Sequence, residues 1–347
     1  MSFNEPKRLL IHAPNIHTGG GLYLLQSLLN FSPSPCVWAQ LDRRIEATIL
    51  LPQKISRCFV KNNLLSRLYA EWRLKKVSRP GDLVLCFHGL PPLIPISGLV
   101  IVFLQNKLIF DESKLNDFTS RDRLRLRIER WLMVKLQRHV SRYIVQSNSM
   151  ELLVRRRLKG SSPVIVSPFF CTENIKKRPF GKLPFKKFDF VYVASGDAHK
   201  NHLRLLEAWC LLADAGIKPF LALTVDFVIY QDLCQKINAF QYEFGLKIIN
   251  LGYLQREAVT ELYLDSNALI FPSLSESFGL PLIEAGYYSL PVIASERDYV
   301  RDIVHPTETF DPLSPLSISR AVKRFLKIPE PSREFQGVGE FLAGLQQ

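Results

Sequence analysis

The absences in this 347-residue chain narrow its function before any motif does. The six cysteines, Cys36, Cys58, Cys86, Cys171, Cys210 and Cys234, form no Cys-x-x-Cys pair. That argues against a disulfide framework or a zinc site and for reduced thiols. No apolar run reaches the roughly 18 residues of a membrane span. The first ten residues, MSFNEPKRLL, have no long apolar stretch and no small-residue cleavage site. A signal peptide is therefore not expected, and a cytoplasmic location is. There is no helix-turn-helix, zinc-finger or RNP-like pattern, so nucleic acid is not an expected partner. No internal repeat of fixed period is apparent.

What is present is a large apolar fraction, 47%, and a net charge of +13. The length suggests two domains with sizeable cores. The charge is unevenly placed. Residues 1–175 hold 26 Lys and Arg against 12 Asp and Glu, a balance of +14, and the remainder 19 against 20, a balance of −1. A basic half without a nucleic-acid motif points to an anionic membrane surface.

Apolar strands alternate with helical segments, which argues for α/β doubly wound sheets. In the first half, strands are expected at Arg8–His12, Ala47–Leu51, Asp82–Phe87, Leu99–Leu104 and Tyr143–Val145. Between the first strand and a helix from Leu22 to Asn30 lies a turn ending in Gly19, Gly20 and Gly21, which suits either a backbone approach to a phosphate or sugar or a plain tight turn. His88 follows the third strand and leads into a proline-rich apolar loop, and Gln105 and Asn106 follow the fourth. Over Ser120–Val140, Leu124, Ile128, Trp131 and Leu132 share one helical face among seven Lys and Arg. The segment is either a solvated surface helix or an interfacial helix against anionic headgroups.

Residues 173–187 read as a linker, rich in lysine with Pro179, Gly181 and Pro184. It separates a first domain over 1–172 from a second over 188–313, with a helix and tail over 314–347. In the second domain, strands are expected at Phe190–Ala194, Phe220–Val225, Lys247–Leu251, Ala268–Phe271 and Leu290–Ala294. Helices are expected at Leu203–Asp214, Glu257–Leu264 and Ser317–Leu326. Three strand ends carry polar groups. The first has Ser195, His199, Lys200 and Asn201, with Asn201 placed to cap the next helix. A lysine beside helix-N-terminal N–H groups suits a diphosphate. The second has Gly252 and Tyr253, which can face a nucleobase. The third runs from Pro272 to Gly286, with Pro281 in a first helical turn and Glu276 and Glu284 suited either to vicinal hydroxyls or to stabilising a helix start.

Taken together, Ala198–Ala208, Leu251–Leu254 and Phe271–Ala285 resemble the retaining GT-B glycosyltransferases of the family-4 type, closest to enzymes of bacterial surface-polysaccharide and lipopolysaccharide assembly. The likeness covers about residues 188–305, and Thr18–Gly21 and Gln105-Asn106 extend it weakly into the first half. The resemblance implies a GT-B fold, two Rossmann-like domains about a central cleft. It implies a nucleotide-sugar donor held by the second domain, with Lys200 on the diphosphate, Glu276 on the transferred sugar and Glu284 on the ribose. Backbone N–H groups around Phe278, Gly279 and Leu280 would add contacts. A lipid-linked or oligosaccharide acceptor would lie against the first domain, near Gly19–Gly21, His88, Gln105 and Asn106, with the enzyme peripheral on the inner face of the cytoplasmic membrane. No cofactor is implied, and the chain has no Asp-x-Asp sequence to hold a metal. Two departures stand out. Ser195 occupies the position of a family arginine, leaving Arg256, His199 or His202 to compensate, and Gln105-Asn106 replaces a His-Asp pair. The same fold also serves nucleotide-sugar epimerases, phosphorylases and non-catalytic binding homologues.

Overall fold

The structure, a computed structural model, describes residues 8–31, 36–49, 51–110, 120–158, 162–169 and 186–330. The first half forms β1 (Leu9–Ala13), α1 (Gly19–Asn30), β2 (Cys36–Asp42), β3 (Ser56–Val60), α2 (Leu64–Val77), β4 (Leu83–Cys86), β5 (Leu99–Phe103), α3 (Ser120–Leu136), β6 (Arg142–Val145), α4 (Asn148–Arg157) and β7 (Val164–Val166). The second half forms β8 (Phe188–Tyr192), α5 (His202–Asp214), β9 (Leu221–Leu223), α6 (Gln231–Phe244), β10 (Ile248–Asn250), α7 (Arg256–Leu264), β11 (Ser266–Phe271), α8 (Leu280–Tyr287), β12 (Val292–Ser295), α9 (Asp298–Arg301), β13 (Glu308–Phe310) and α10 (Pro315–Phe325).

Short apolar runs without alternation are what a parallel sheet covered on both faces requires. The strands pair in parallel into two sheets, ordered β3-β2-β1-β4-β5-β6-β7 and β10-β9-β8-β11-β12-β13. Successive residues of β1 serve opposite faces: Leu10 joins one apolar cluster with Val102 and Met133, Ile11 another with Leu25 and Phe87. In the second sheet, Phe190 meets Trp209 of α5 and Phe325 of α10 edge to face.

The chain divides into two compact units, each with its own core. One gathers Met1–Phe180 with Ser275–Glu284 and Arg297–Val304, and the other holds Gly181–Leu274, Ala285–Glu296 and His305–Gln347.

The strand expected at Ala47–Leu51 is not one. The Asp42 carboxylate accepts from the Arg44 N–H and starts a tight 3-10 turn at Arg43–Ile45, and Ile49 N–H then returns to the Ile45 carbonyl. The strands beside β1 and β2 are Cys36–Asp42 and Ser56–Val60 instead. The three glycines form the first turn of α1, not the turn before it. Helices α2, α6 and α9 and strands β7 and β13 were not anticipated. The linker falls almost wholly outside the described residues.

Candidate functional site

Where strand order reverses in a parallel sheet, neighbouring strand-end loops diverge and leave a crevice at the carboxyl ends. In the second sheet the reversal lies between β8 and β11. These are the strands that Ser195–Asn201 and Pro272–Glu284 follow. The two loops are stitched together. The Tyr192 hydroxyl donates to the Lys200 carbonyl at 2.8 Å and meets Ser273 Oγ at 2.9 Å. Leu274 N–H donates to the His199 carbonyl, and Asn201 Nδ2 donates to the Pro272 and Pro312 carbonyls. Asn201 stands at the head of α5 but makes no side-chain cap. It adopts the left-handed conformation (φ 64°) and spends its amide on these two loops.

At the end of β10, Asn250 fixes the next turn: its Oδ1 accepts from Val225 N–H and Gly252 N–H. Gly252 has φ 72°, and a Cβ there would sit 2.5 Å from the Phe227 ring. Glycine is therefore required on both counts. Tyr253 beside it is exposed, as are Phe227, Val228 and Ile229 at the end of β9.

The Ser195 corner differs from expectation. Ser195 Oγ donates to Asp197 Oδ2 at 2.6 Å, and the Tyr230 hydroxyl donates to Asp197 Oδ1 at 3.0 Å. The Tyr230 ring covers Gly196, where any Cβ would collide with it. The position of the family arginine thus holds a hydroxyl bound to a carboxylate. Nor does His202 supply a cation. Its Nε2–H donates to the Ser195 carbonyl at 2.8 Å, and Nδ1 is buried without a hydrogen-bond partner. Burial, with Lys200 and His199 nearby, brings its pKa down to about 4 despite the opposing Ser195 hydrogen bond and Asp197. His202 is neutral at pH 7, which removes it from the candidates to replace the arginine. Arg256 is the first residue of α7.

Residues Ser275–Glu284 cluster with the first unit. Lys107 N–H donates to Ser277 Oγ at 2.9 Å, and Leu280 packs on the apolar cluster of Ile11 and Leu25. Glu276 and Glu284 are half-buried, while Phe278 and Gly279 are buried. The first sheet reverses between β1 and β4, whose ends carry Gly19–Gly21 and His88. His88 Nδ1 meets the His12 carbonyl at 3.2 Å. Burial, then Arg67 and His12, hold His88 well below the usual histidine range. Beneath it, buried His12 bonds Gln40 at 2.7 Å and the Glu71 carboxylate at 3.3 Å. Burial pushes Glu71 up, but the His12 hydrogen bond and charge, the Leu93 N–H and Arg67 outweigh it and hold the carboxyl below its usual value. Gln105 Nε2 donates to the Phe87 carbonyl, its Oε1 lies against Gly21, and Asn106 Oδ1 caps Leu108 N–H. Gln40, Glu71, Asp197, Phe227 and Tyr230 escaped the sequence reading because their partners lie some thirty or more positions away in most cases.

On α3, Leu124, Ile128 and Trp131 are exposed, and Leu126 and Met133 are the buried positions. The apolar row read from the sequence therefore faces outward. The proline-rich loop is drawn inward: Leu93 N–H donates to Glu71, and His139 Nδ1 meets the Pro92 carbonyl. No helix among the described residues is long and apolar enough to cross a membrane, and no cluster of metal-ligating side chains is found among them.

Two Rossmann-like parallel sheets in succession, each with its own reversal point, define the GT-B fold. Solved structures agree. Sucrose-phosphate synthase from Thermosynechococcus elongatus is similar with a TM-score of 0.68 at 17% identity, covering 92% of this chain and 90% of that one. Anabaena HepE in complex with UDP and glucose gives 0.64 at 15%, with the same coverage. WaaG, a glycosyltransferase involved in lipopolysaccharide biosynthesis, gives 0.66 at 14%, again with the same coverage. Residues 173–337 match the family model "Glycosyl transferases group 1", overlapping the stretch over which the sequence resembles that kind of enzyme. Over 146 residues, 41% of the chain, it is 31% identical to the serotype-specific mannosyltransferase WbdA of Escherichia coli. That stretch is 17% of WbdA, so the chain spans a small part of the curated relatives it matches.

Proposed function

We propose that this chain is a retaining glycosyltransferase. It moves a hexose from a nucleoside-diphosphate sugar to a lipid-linked glycan acceptor in cell-surface polysaccharide or lipopolysaccharide assembly. One observation supports the reading: Lys200, Gly252 and Glu276 follow β8, β10 and β11 of one parallel sheet, within the residues 173–337 that match the group 1 family model. The names of the relatives support it, since one is a mannosyltransferase, one binds UDP and glucose, and one serves lipopolysaccharide biosynthesis.

Each residue has a role in this reading. Lys200 and neighbouring N–H groups take the diphosphate, and Glu284 takes the ribose hydroxyls. Glu276 and the N–H groups of Phe278–Leu280 orient the sugar. Tyr253 and the Gly252 backbone face the base. An acceptor hydroxyl attacks the anomeric carbon on the face from which the diphosphate leaves. The C–O bond to the diphosphate breaks, a departing phosphate oxygen takes the hydroxyl proton, and Lys200 stabilises the growing negative charge. No metal is used. The acceptor lies by Gly19–Gly21, His88, Gln105 and Asn106, with the basic α3 against anionic headgroups of the cytoplasmic membrane face.

A second reading has one observation in its favour: Ser195, at the position where the resembled family carries an arginine, donates to the Asp197 carboxylate, as a non-catalytic sugar-nucleotide binder would tolerate. One experiment separates the two. Purified protein is screened by thermal shift against UDP-, GDP- and dTDP-sugars, because a ligand that binds only the folded state raises the melting temperature. Turnover of the stabilising donor is then compared between wild type and Glu276→Ala. The expected result is a raised melting temperature with one donor and a loss of turnover of about a hundredfold or more in the variant. Donor binding with equal turnover in both proteins would sink the catalytic assignment.

A further inference from the structure

We propose that the outward face of α2 is a membrane-insertion surface that seats the first unit on an anionic bilayer. It rests on the reading that the acceptor is presented at a membrane, and it names an element that α3 alone does not account for.

Helix α2 is built inside out. Asn63 Oδ1 caps Ser66 N–H and starts the helix. Its buried side holds Ala70, Leu74 and the ionised Glu71, which is tied to His12 and Leu93. Its outer side carries the bulk of the apolar surface: Leu64 and Leu65 are 73% and 80% exposed, and Leu68, Tyr69 and Trp72 about half. These five positions repeat at helical spacing over roughly 12 Å of helix. A surface helix normally turns such a row inward. Here the buried His12–Glu71 contact fixes the helix rotation and leaves the row outside.

The chemistry around the row selects its occupant. Between Arg57 and Arg79 there are seven Lys and Arg, and Glu71 is the one acid. Lys61, Lys75, Lys76 and Arg79 are exposed, so this surface carries cations and no exposed carboxylate. The two aromatic rings stack at 5.7 Å, with Lys76 Nζ 4.2 Å from the Trp72 ring and Arg73 6.0 Å from the Tyr69 ring. Leucines at the tip, Trp and Tyr behind them and cations at the rim match the acyl, interfacial and headgroup layers of an anionic leaflet in order. A second copy of this chain fits worse, because a two-fold interface would bring like cations together. Helices α2 and α3 belong to the same unit. They divide the work. The leucines of α2 supply apolar insertion, which salt does not screen, and the basic residues supply attraction, which salt does.

The test uses the tryptophans. Trp38 and Trp209 are buried, so in a Trp131→Phe background the vesicle-dependent emission comes from Trp72. Full-length protein is mixed with phosphatidylglycerol/phosphatidylcholine vesicles at low salt and at about 0.5 M salt. A blue shift of Trp72 emission and co-sedimentation that partly survives high salt are expected. The combined Leu64→Ser, Leu65→Ser and Leu68→Ser variant should lose the salt-resistant fraction, with binding weakened by more than tenfold, since each leucine buried is worth about tenfold or more. Lys75→Glu with Lys76→Glu should lose mainly the low-salt fraction. Melting temperatures within about 2 °C of wild type would show that these exposed positions leave the fold intact. Vesicle binding by the triple-serine variant equal to wild type overturns the proposal, as does an unshifted Trp72. So does a wild-type dimer that becomes monomeric in that variant without any vesicle binding. The measurement contains no donor. Lost transfer with intact vesicle binding therefore counts against the transferase reading alone, and donor turnover without vesicle binding counts against this one alone.

Discussion

Helices α2 and α10 have opposite polarity, and the units that contain them distribute their buried polar groups differently. In α10, Ile318, Ala321 and Val322 are fully buried while Arg320 and Arg324 reach solvent. In α2, leucines and aromatic rings reach solvent while Glu71 is buried. The first unit keeps a polar network of His12, Gln40 and Glu71 in its interior and carries apolar rows on α2 and α3. The second packs Trp209 and Phe190 in its core, sets polar groups in the strand-end loops, and exposes Phe227, Val228, Ile229 and Tyr253 in loops rather than as a row along a helix.

The strongest way to break this contrast is to put a carboxylate on each helix. Ile318→Asp in α10 places an unpaired charge in a dry core and should cost about 4 kcal/mol or more. Leu65→Asp in α2 is the same kind of change on a fully solvated row, and its effect should lie within about 0.5 kcal/mol. Urea unfolding of the two variants reads the difference. A comparable loss in both would mean that the α2 row is packed in solution, and the two helices would no longer be opposites.

This reversal also marks where the sequence stopped being legible. The second unit was readable because its helices and strands obey simple periods: Leu205, Leu206, Trp209 and Leu212 of α5 are buried as their spacing requires. Its strand ends carry recognisable motifs in order. Helix α2 has a helical period too, but one that would bury Leu65 and Trp72 and expose Glu71. The buried His12 and the Leu93 N–H decide otherwise, and both are distant in sequence. β2 was hidden because Gln40 and Asp42 are polar yet fully buried. At the site, the missing arginine was visible as Ser195, but its replacement by a carboxylate was not, because Tyr230 and Asp197 meet only through the ends of neighbouring strands.

An intermediate effect is expected from pH. His202 is buried and neutral, with its folded pKa down at about 4 against an ordinary value of 6.5. Below about pH 6.5 the unfolded chain takes up a proton that the folded one refuses. Stability is therefore lost as pH falls through the window from about 6.5 to about 4, by about 3 kcal/mol over the window. His202→Gln can still donate to the Ser195 carbonyl but does not titrate. Its unfolding free energy should be flatter across that window than wild type. An unchanged slope would place the acid sensitivity in the first unit at buried His88, also held well below the usual histidine range, because Glu71, held below its usual value, gives up its contribution only at lower pH.

The smallest effect tests the polar side of the contrast at its weakest point. Asp197 is exposed and lies within one turn of Lys200, whose N–H donates to the Asp197 carbonyl. A diphosphate held by Lys200 would meet that carboxylate's charge through solvent, so the repulsion is screened and modest. Asp197→Asn keeps the acceptor that Ser195 needs and removes the charge. Affinity for the nucleoside diphosphate of whichever donor the thermal-shift screen identifies should rise by about threefold at low salt, and the gain should shrink as salt is added. Titration calorimetry measures both. The salt dependence carries the argument. A rearranged Tyr230 or Gly196 would change affinity equally at every ionic strength, whereas removal of a nearby like charge must fade with screening. A gain that persists undiminished in high salt would mean that the Ser195–Asp197–Tyr230 corner acts by shape, and the missing arginine would not be an electrostatic deficit.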